Sequence, residues 1–101
     1  MEKMMKASQW MEFLATVSED KRLNVWHLAI IVALVQLAYN QDEGKVLHAS
    51  RSKIMELSHI GTLPTYHKYF KELQDWGYIK YTPSYHPGYR SIVEFLSAGI
   101  K

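Results

Sequence analysis

Cysteine is absent from the 101 residues, which excludes a disulfide framework and thiolate metal sites. Proline and glycine are scarce, at three and five. Those that occur fall mostly at boundaries, with Gly61, Pro64, Gly77 and the Pro87-Gly88 pair punctuating the second half. No apolar run is long enough for a membrane. The longest, LAIIVALVQLAY at positions 28–39, has 12 residues and includes Gln36, whereas a spanning helix needs roughly 20. It lies behind an acidic stretch and far from the start, unlike a secretory signal. The expectation is a buried core helix in a cytoplasmic protein without a membrane partner.

Catalytic signatures are missing as well. There is no glycine-rich phosphate loop, no Ser/His/acid constellation and no paired-carboxylate arrangement. His48, His59, His67 and His86 lack the tight spacing of metal ligands, and His27 sits inside the apolar run, where a packed, hydrogen-bonded role is expected. The reading is of a non-enzyme with no cofactor and no metal.

What is present is an ordinary globular balance, 48% hydrophobic and 22% charged, enough for one modest core in a single domain spanning 1–101. The net charge of +2 conceals an asymmetry. Residues 1–44 hold four Lys and Arg against six Asp and Glu, net −2, while residues 45–101 hold eight against four, net +4. Four of the five His lie in the basic part. Such a division points to one face made for an anionic partner.

Along the chain, 3–17 reads as a first helix, with Met4, Ala7, Trp10, Met11, Leu14 and Val17 recurring at steps of three and four. Asn24 is the expected N-cap of a second helix running to about Tyr39 and ended by 40–44. Val25, Leu28, Ile30, Ile31, Val32, Leu34, Val35 and Leu37 surround it on nearly every side. It therefore needs cover from the first helix, from the elements that follow, or from a second copy. Residues 45–48 form a short strand candidate. Ser50 or Ser52 caps a third helix that buries Ile54 and Leu57. His59-Ile60-Gly61 makes a tight turn, with Ile60 in the core and Gly61 supplying a positive φ. A fourth helix starts at Pro64, leaving Leu63 outside it. Tyr66, Phe70 and Leu73 form its buried stripe, beside Tyr69 and Trp76. Its other face carries Thr65, His67, Lys68, Lys71, Glu72 and Asp75, basic first and acidic later. Gly77 closes it, and Tyr78 to Tyr81 opens a hairpin tipped by Pro87-Gly88.

Helix, tight turn, helix and hairpin in that order, with the run from Thr65 through Leu73 and Gly77 to Ile79, resembles the winged helix-turn-helix domains of bacterial transcription regulators and plasmid replication initiators. The resemblance covers about half the chain. It implies a mainly α fold with a small β-hairpin wing and, here, an extra N-terminal helical part (1–44) ahead of the helix-turn-helix and wing (45–101). It also implies sequence-specific binding of double-stranded DNA, with the helix at 64–76 in the major groove and the hairpin at 78–96 on the backbone.

Carried onto this chain, base reading falls to Thr62, Thr65, His67 and Lys68, with Lys71 on the same face. Lys68 pairs with guanine or with phosphate, and Thr65 meets phosphate or a thymine methyl. Arg51 and Lys53 face backbone phosphate. In the wing, Lys80, Ser84, Tyr85, His86, Tyr89 and Arg90 are the candidates for phosphate or minor groove. The recognition helix departs from the usual pattern in having no Arg, which leaves affinity to be supplied by a homodimer through the N-terminal helices or by a partner. The rival reading is a protein-interaction module whose surface lies around Met4, Trp10, Met11 and Trp26.

Overall fold

A computed structural model describes residues 7–41, 46–84 and 91–96. Helix α1, Ala7–Ser18, forms where Trp10, Phe13 and Val17 recur at helical spacing, and all three are buried. The expected stripe is corrected here. Met11 faces outward, 64% exposed, and Phe13 takes its place. Both stripes have the same spacing, and distant packing chooses between them. Trp10 and Phe13 set their ring edges against Phe95 at centroid distances of 5.1 and 5.4 Å, the arrangement aromatic quadrupoles favour. Residues 3–6, including Met4, lie outside the described residues.

Asn24 caps helix α2, Val25–Gln41, as expected: its Oδ1 accepts from the Trp26 and His27 amides at 2.9 and 3.3 Å. The helix runs on through Asn40 and Gln41, past its expected end. The Gln41 side chain accounts for this, since Nε2 donates to the His48 carbonyl at 2.7 Å and Oε1 accepts the His48 amide at 3.0 Å. Residues 42–45 lie outside the described residues.

Strand β1 is Val46–Ala49, one residue later than expected. Strands β2, Ile79–Thr82, and β3, Ser91–Phe95, complete an antiparallel sheet of order β1–β3–β2, with Leu47 and Tyr81 flanking Val93. Between the strands run helix α3, Arg51–Ser58, and helix α4, Leu63–Asp75. The architecture is mainly helical with one small sheet. A helix of eight residues is unstable alone. Burial of Ile54, and of Ile60 just beyond it, holds α3 in place, each such side chain contributing about 1.5–3 kcal/mol. One core runs from Trp10 in α1 to Phe95 in β3, so the acidic and basic parts of the chain fold around shared side chains.

Helices α3 and α4 end alike. Ile60 N–H reaches the Met55 carbonyl and His59 N–H the Glu56 carbonyl; Tyr78 N–H reaches Leu73 and Gly77 N–H reaches Gln74. Each pair is a Schellman closure around one left-handed residue. In α4 that residue is Gly77, φ 83°, as expected, but in α3 it is His59, φ 62°. Gly61 has no positive φ, and a Cβ placed there meets nothing within 4 Å, so its expected role is corrected. Leu63 is also corrected: it is the first residue of α4, with Thr62 as N-cap. The clash between the Pro64 ring and the residue before it is a bias against helical geometry, and the first turn of α4 overrides it at Leu63. No helix of the described residues is long and apolar enough to cross a membrane.

Candidate functional site

The Tyr66, Phe70 and Leu73 stripe turns α4 into the core as expected, and leaves Thr62, His67, Lys68 and Lys71 exposed on the outer side of its first three turns, with Thr65 half-buried. Thr62 makes no side-chain cap; its Oγ1 donates instead to Thr65 Oγ1 at 2.9 Å. Arg51 and Lys53 stand exposed in the first turn of α3, and Lys80 is exposed on β2. Ser84 is engaged through its backbone, which donates to Ser91 Oγ at 3.2 Å; Tyr81 Oη donates to the same oxygen at 3.2 Å. Tyr85, His86, Tyr89 and Arg90 lie outside the described residues.

The basic residues of α4 are largely neutralised by acids one turn on. Lys68 Nζ lies 3.3 Å from Glu72 Oε2, and Lys71 Nζ lies 2.9 Å from Asp75 Oδ2. Lys53 has Glu56 at 3.5 Å. All three pairs sit at helical i+3 or i+4 spacing. Of the candidate cations among the described residues, Arg51 and Lys80 have no ion-pair partner.

The flank of α4 facing α2 is closed by a connected network. Fully buried His27 accepts the Asn24 amide on Nδ1 at 3.0 Å, so Nε2 carries the hydrogen and donates to Glu72 Oε1 at 2.7 Å. With Asn24 Oδ1 capping the His27 amide in return, the two residues form a reciprocal box at the start of α2. The hydrogen bond from His27, and after it Lys68, holds the Glu72 carboxyl below its ordinary range. The His27 ring meets Tyr69 edge-on at 4.8 Å and Trp76 at 5.0 Å, while Trp26 stacks over Tyr69. The Arg22 guanidinium lies over Trp76 at 4.8 Å and clamps Asp20 through Nε and Nη2 at 3.1 and 2.8 Å. Tyr78 Oη also donates to Asp20. Arg22 first, and then Tyr78, hold the Asp20 carboxyl far below the usual range.

The opposite flank is open. A cleft of about 280 Å³ lies between the start of α3, the side of α4 and β2, lined by Arg51, Tyr66, His67, Phe70, Lys71, Gln74 and Tyr81. Tyr66 stacks on Phe70 at 5.0 Å, and Phe70 meets the edge of Tyr81 at 5.1 Å. Burial, with Tyr81 adding to it and Arg51 opposing, pushes the Tyr66 phenol well above the tyrosine range.

A third surface is the groove between α1 and α2, about 470 Å³, where Met11, Val32 and Tyr39 are each at least half exposed. The protein-contact surface expected around Trp10 is corrected in part: Trp10 is 3% exposed and belongs to the core. Met11 and Trp26 remain outside. Compared with family models, curated proteins and solved structures, the chain matches none.

Proposed function

We propose that this chain is a winged helix-turn-helix protein that binds double-stranded DNA, in the manner of a bacterial transcription regulator or a plasmid or mobile-element accessory protein. The observation that carries the reading is the clustering of Thr62, Thr65, His67 and Lys68 at the outward start of α4, with Arg51 and Lys80 on neighbouring elements. In this reading α4 enters the major groove, where a lysine ammonium suits guanine O6 and N7 and threonine suits phosphate or a thymine methyl. Arg51 then meets the backbone, which sets position without reading sequence. Lys68 exchanges Glu72 for DNA on binding, so its contribution is a difference between two partners.

The test is fluorescence anisotropy of the full chain with random-sequence and selected duplexes across a salt series. Affinity should fall steeply as salt rises, because each neutralised phosphate releases counterions. Lys68→Ala should weaken binding on the order of tenfold, in line with the roughly 1–3 kcal/mol of a good base contact. No binding at low salt, or binding indifferent to Lys68→Ala, would reject the reading.

A second reading, a protein-interaction module, draws on the exposed apolar groove of Met11, Val32 and Tyr39. Its proposed occupant is a second copy of the chain. Pairing two copies would compensate for an α4 face whose lysines are already matched by acids. Light scattering across concentration decides it, since a single-chain mass at the highest concentration removes this interface.

A further inference from the structure

We infer that the cleft between the start of α3, the side of α4 and β2 is a binding site for a nucleotide phosphate. In it the buried Tyr66 donates its hydroxyl to the phosphate, exposed Arg51 donates from the rim, and Lys71 exchanges Asp75 for the anion. The site rests on the DNA-binding reading for only one of its two ligand sources, the phosphodiester of a bound duplex. The other source is a free nucleotide.

Tyr66 is the first reason. Its side chain is 2% exposed, yet its hydroxyl has no hydrogen-bond partner among the described residues. No described side-chain oxygen or nitrogen is both sealed and unpartnered, so this hydroxyl keeps some accessible surface, and Tyr66 lines the cleft. Burial of the ring raises the phenol, which keeps its proton and so remains a donor. It is a donor awaiting an acceptor.

Arg51 is the second reason. Lys53, Lys68 and Lys71 each have a carboxylate within 4 Å, whereas Arg51 has no ion-pair partner among the described residues and lines the same cleft. Among the described residues, no carboxylate lines that cleft. Gln74 turns its amide hydrogen to the Phe70 carbonyl, at 3.4 Å. Among the described lining residues Arg51 is thus the cation without a counter-charge, and Lys71 is shared with Asp75 at 2.9 Å; a free guanidinium beside a hydroxyl donor suits an anion. A planar guanidinium binds phosphate in bidentate fashion, and the edges of Phe70 and Tyr81 supply the apolar wall that a sugar or base requires. The α1–α2 groove is larger, but among the described residues its lining holds no charged side chain.

The experiment combines amide and arginine side-chain NMR of the full chain, titrated separately with inorganic phosphate and thymidine monophosphate, with duplex anisotropy. Arg51→Gln and Tyr66→Phe are compared with wild type in both; the phenylalanine keeps the ring and so preserves the packing. Arg51, His67 and Gln74 signals should move on titration, and each variant should weaken the responsible ligand about tenfold. Loss confined to the duplex identifies the backbone as the source, and loss confined to the nucleotide identifies a free ligand. Nucleotide binding in the cleft without any duplex binding keeps this site and removes the DNA reading. Still cleft signals, together with unchanged duplex affinity in both variants, overturn the site while leaving Lys68 to carry the DNA reading alone.

Discussion

The two flanks of α4 are built from similar residues and end in opposite states. Toward α2, His27, Glu72, Trp76, Arg22 and Asp20 satisfy one another through hydrogen bonds and ring contacts. Toward α3 and β2, Arg51 and the Tyr66 hydroxyl have no such partners among the described residues. Both flanks contain aromatics, a guanidinium and a tyrosine hydroxyl, so composition does not separate them. Saturation does. A polar group with its partner inside the protein stabilises the fold, and one without it is available to a ligand.

Replacing His27 with Ala is the severest way to break this comparison. The change empties a buried site, deprives the Asn24 amide of its acceptor and strips Tyr69 and Trp76 of a ring neighbour. The expected loss is about 3 kcal/mol by urea denaturation. Tyr66→Phe, on the open flank, should stay within about 0.5 kcal/mol, because no intramolecular hydrogen bond is removed. Equal losses at the two positions would mean that the flanks do not differ in the way proposed.

Asp20→Asn sharpens the comparison at smaller scale and through pH. The Asp20 side chain is 18% exposed, and solvent screening limits its clamp to about 1–2 kcal/mol. Because Arg22 and Tyr78 lower its folded value below the ordinary 3.8, the ionised form is the one favoured by folding. The contribution is therefore present in full above the ordinary carboxylate range and lost as pH falls through the depressed folded value. The gap between wild type and Asp20→Asn should be flat from pH 5 to 8 and shrink only below about pH 4. A gap that changes near neutrality would point to a different group.

What the sequence discloses follows the range of each interaction. The α4 stripe of Tyr66, Phe70 and Leu73, the Asn24 cap, the Ile60 plug and the Gly77 closure depend on neighbours within a few positions, and periodicity finds them. The closed flank depends on His27 meeting Glu72 and Asp20 meeting Tyr78, 45 and 58 positions apart. No local pattern contains those pairings. The choice of Phe13 over Met11 likewise waits on Phe95. The matching of Lys68 by Glu72 and Lys71 by Asp75 is different, since i+4 spacing puts it in plain view. Attention to the charge of the helix start hides it. The cleft needs three separate elements to converge on Tyr66, and only the fold brings them together.

The turn between α3 and α4 joins two of the elements that line the open flank. Its two informative residues carry small predicted effects. At Gly61 the backbone is accessible to any residue and a Cβ has open space, so Gly61→Ala should stabilise by about 0.4–1 kcal/mol through the unfolded chain. His59 holds the left-handed conformation at φ 62°, which a side chain adopts at a cost of about 1 kcal/mol. His59→Gly removes that cost but adds roughly 0.5–1 kcal/mol of unfolded-state entropy. The two terms nearly cancel, and the net change should lie within about 0.5 kcal/mol by the same urea measurement. A loss well above 1 kcal/mol from Gly61→Ala would mean that the turn is under strain.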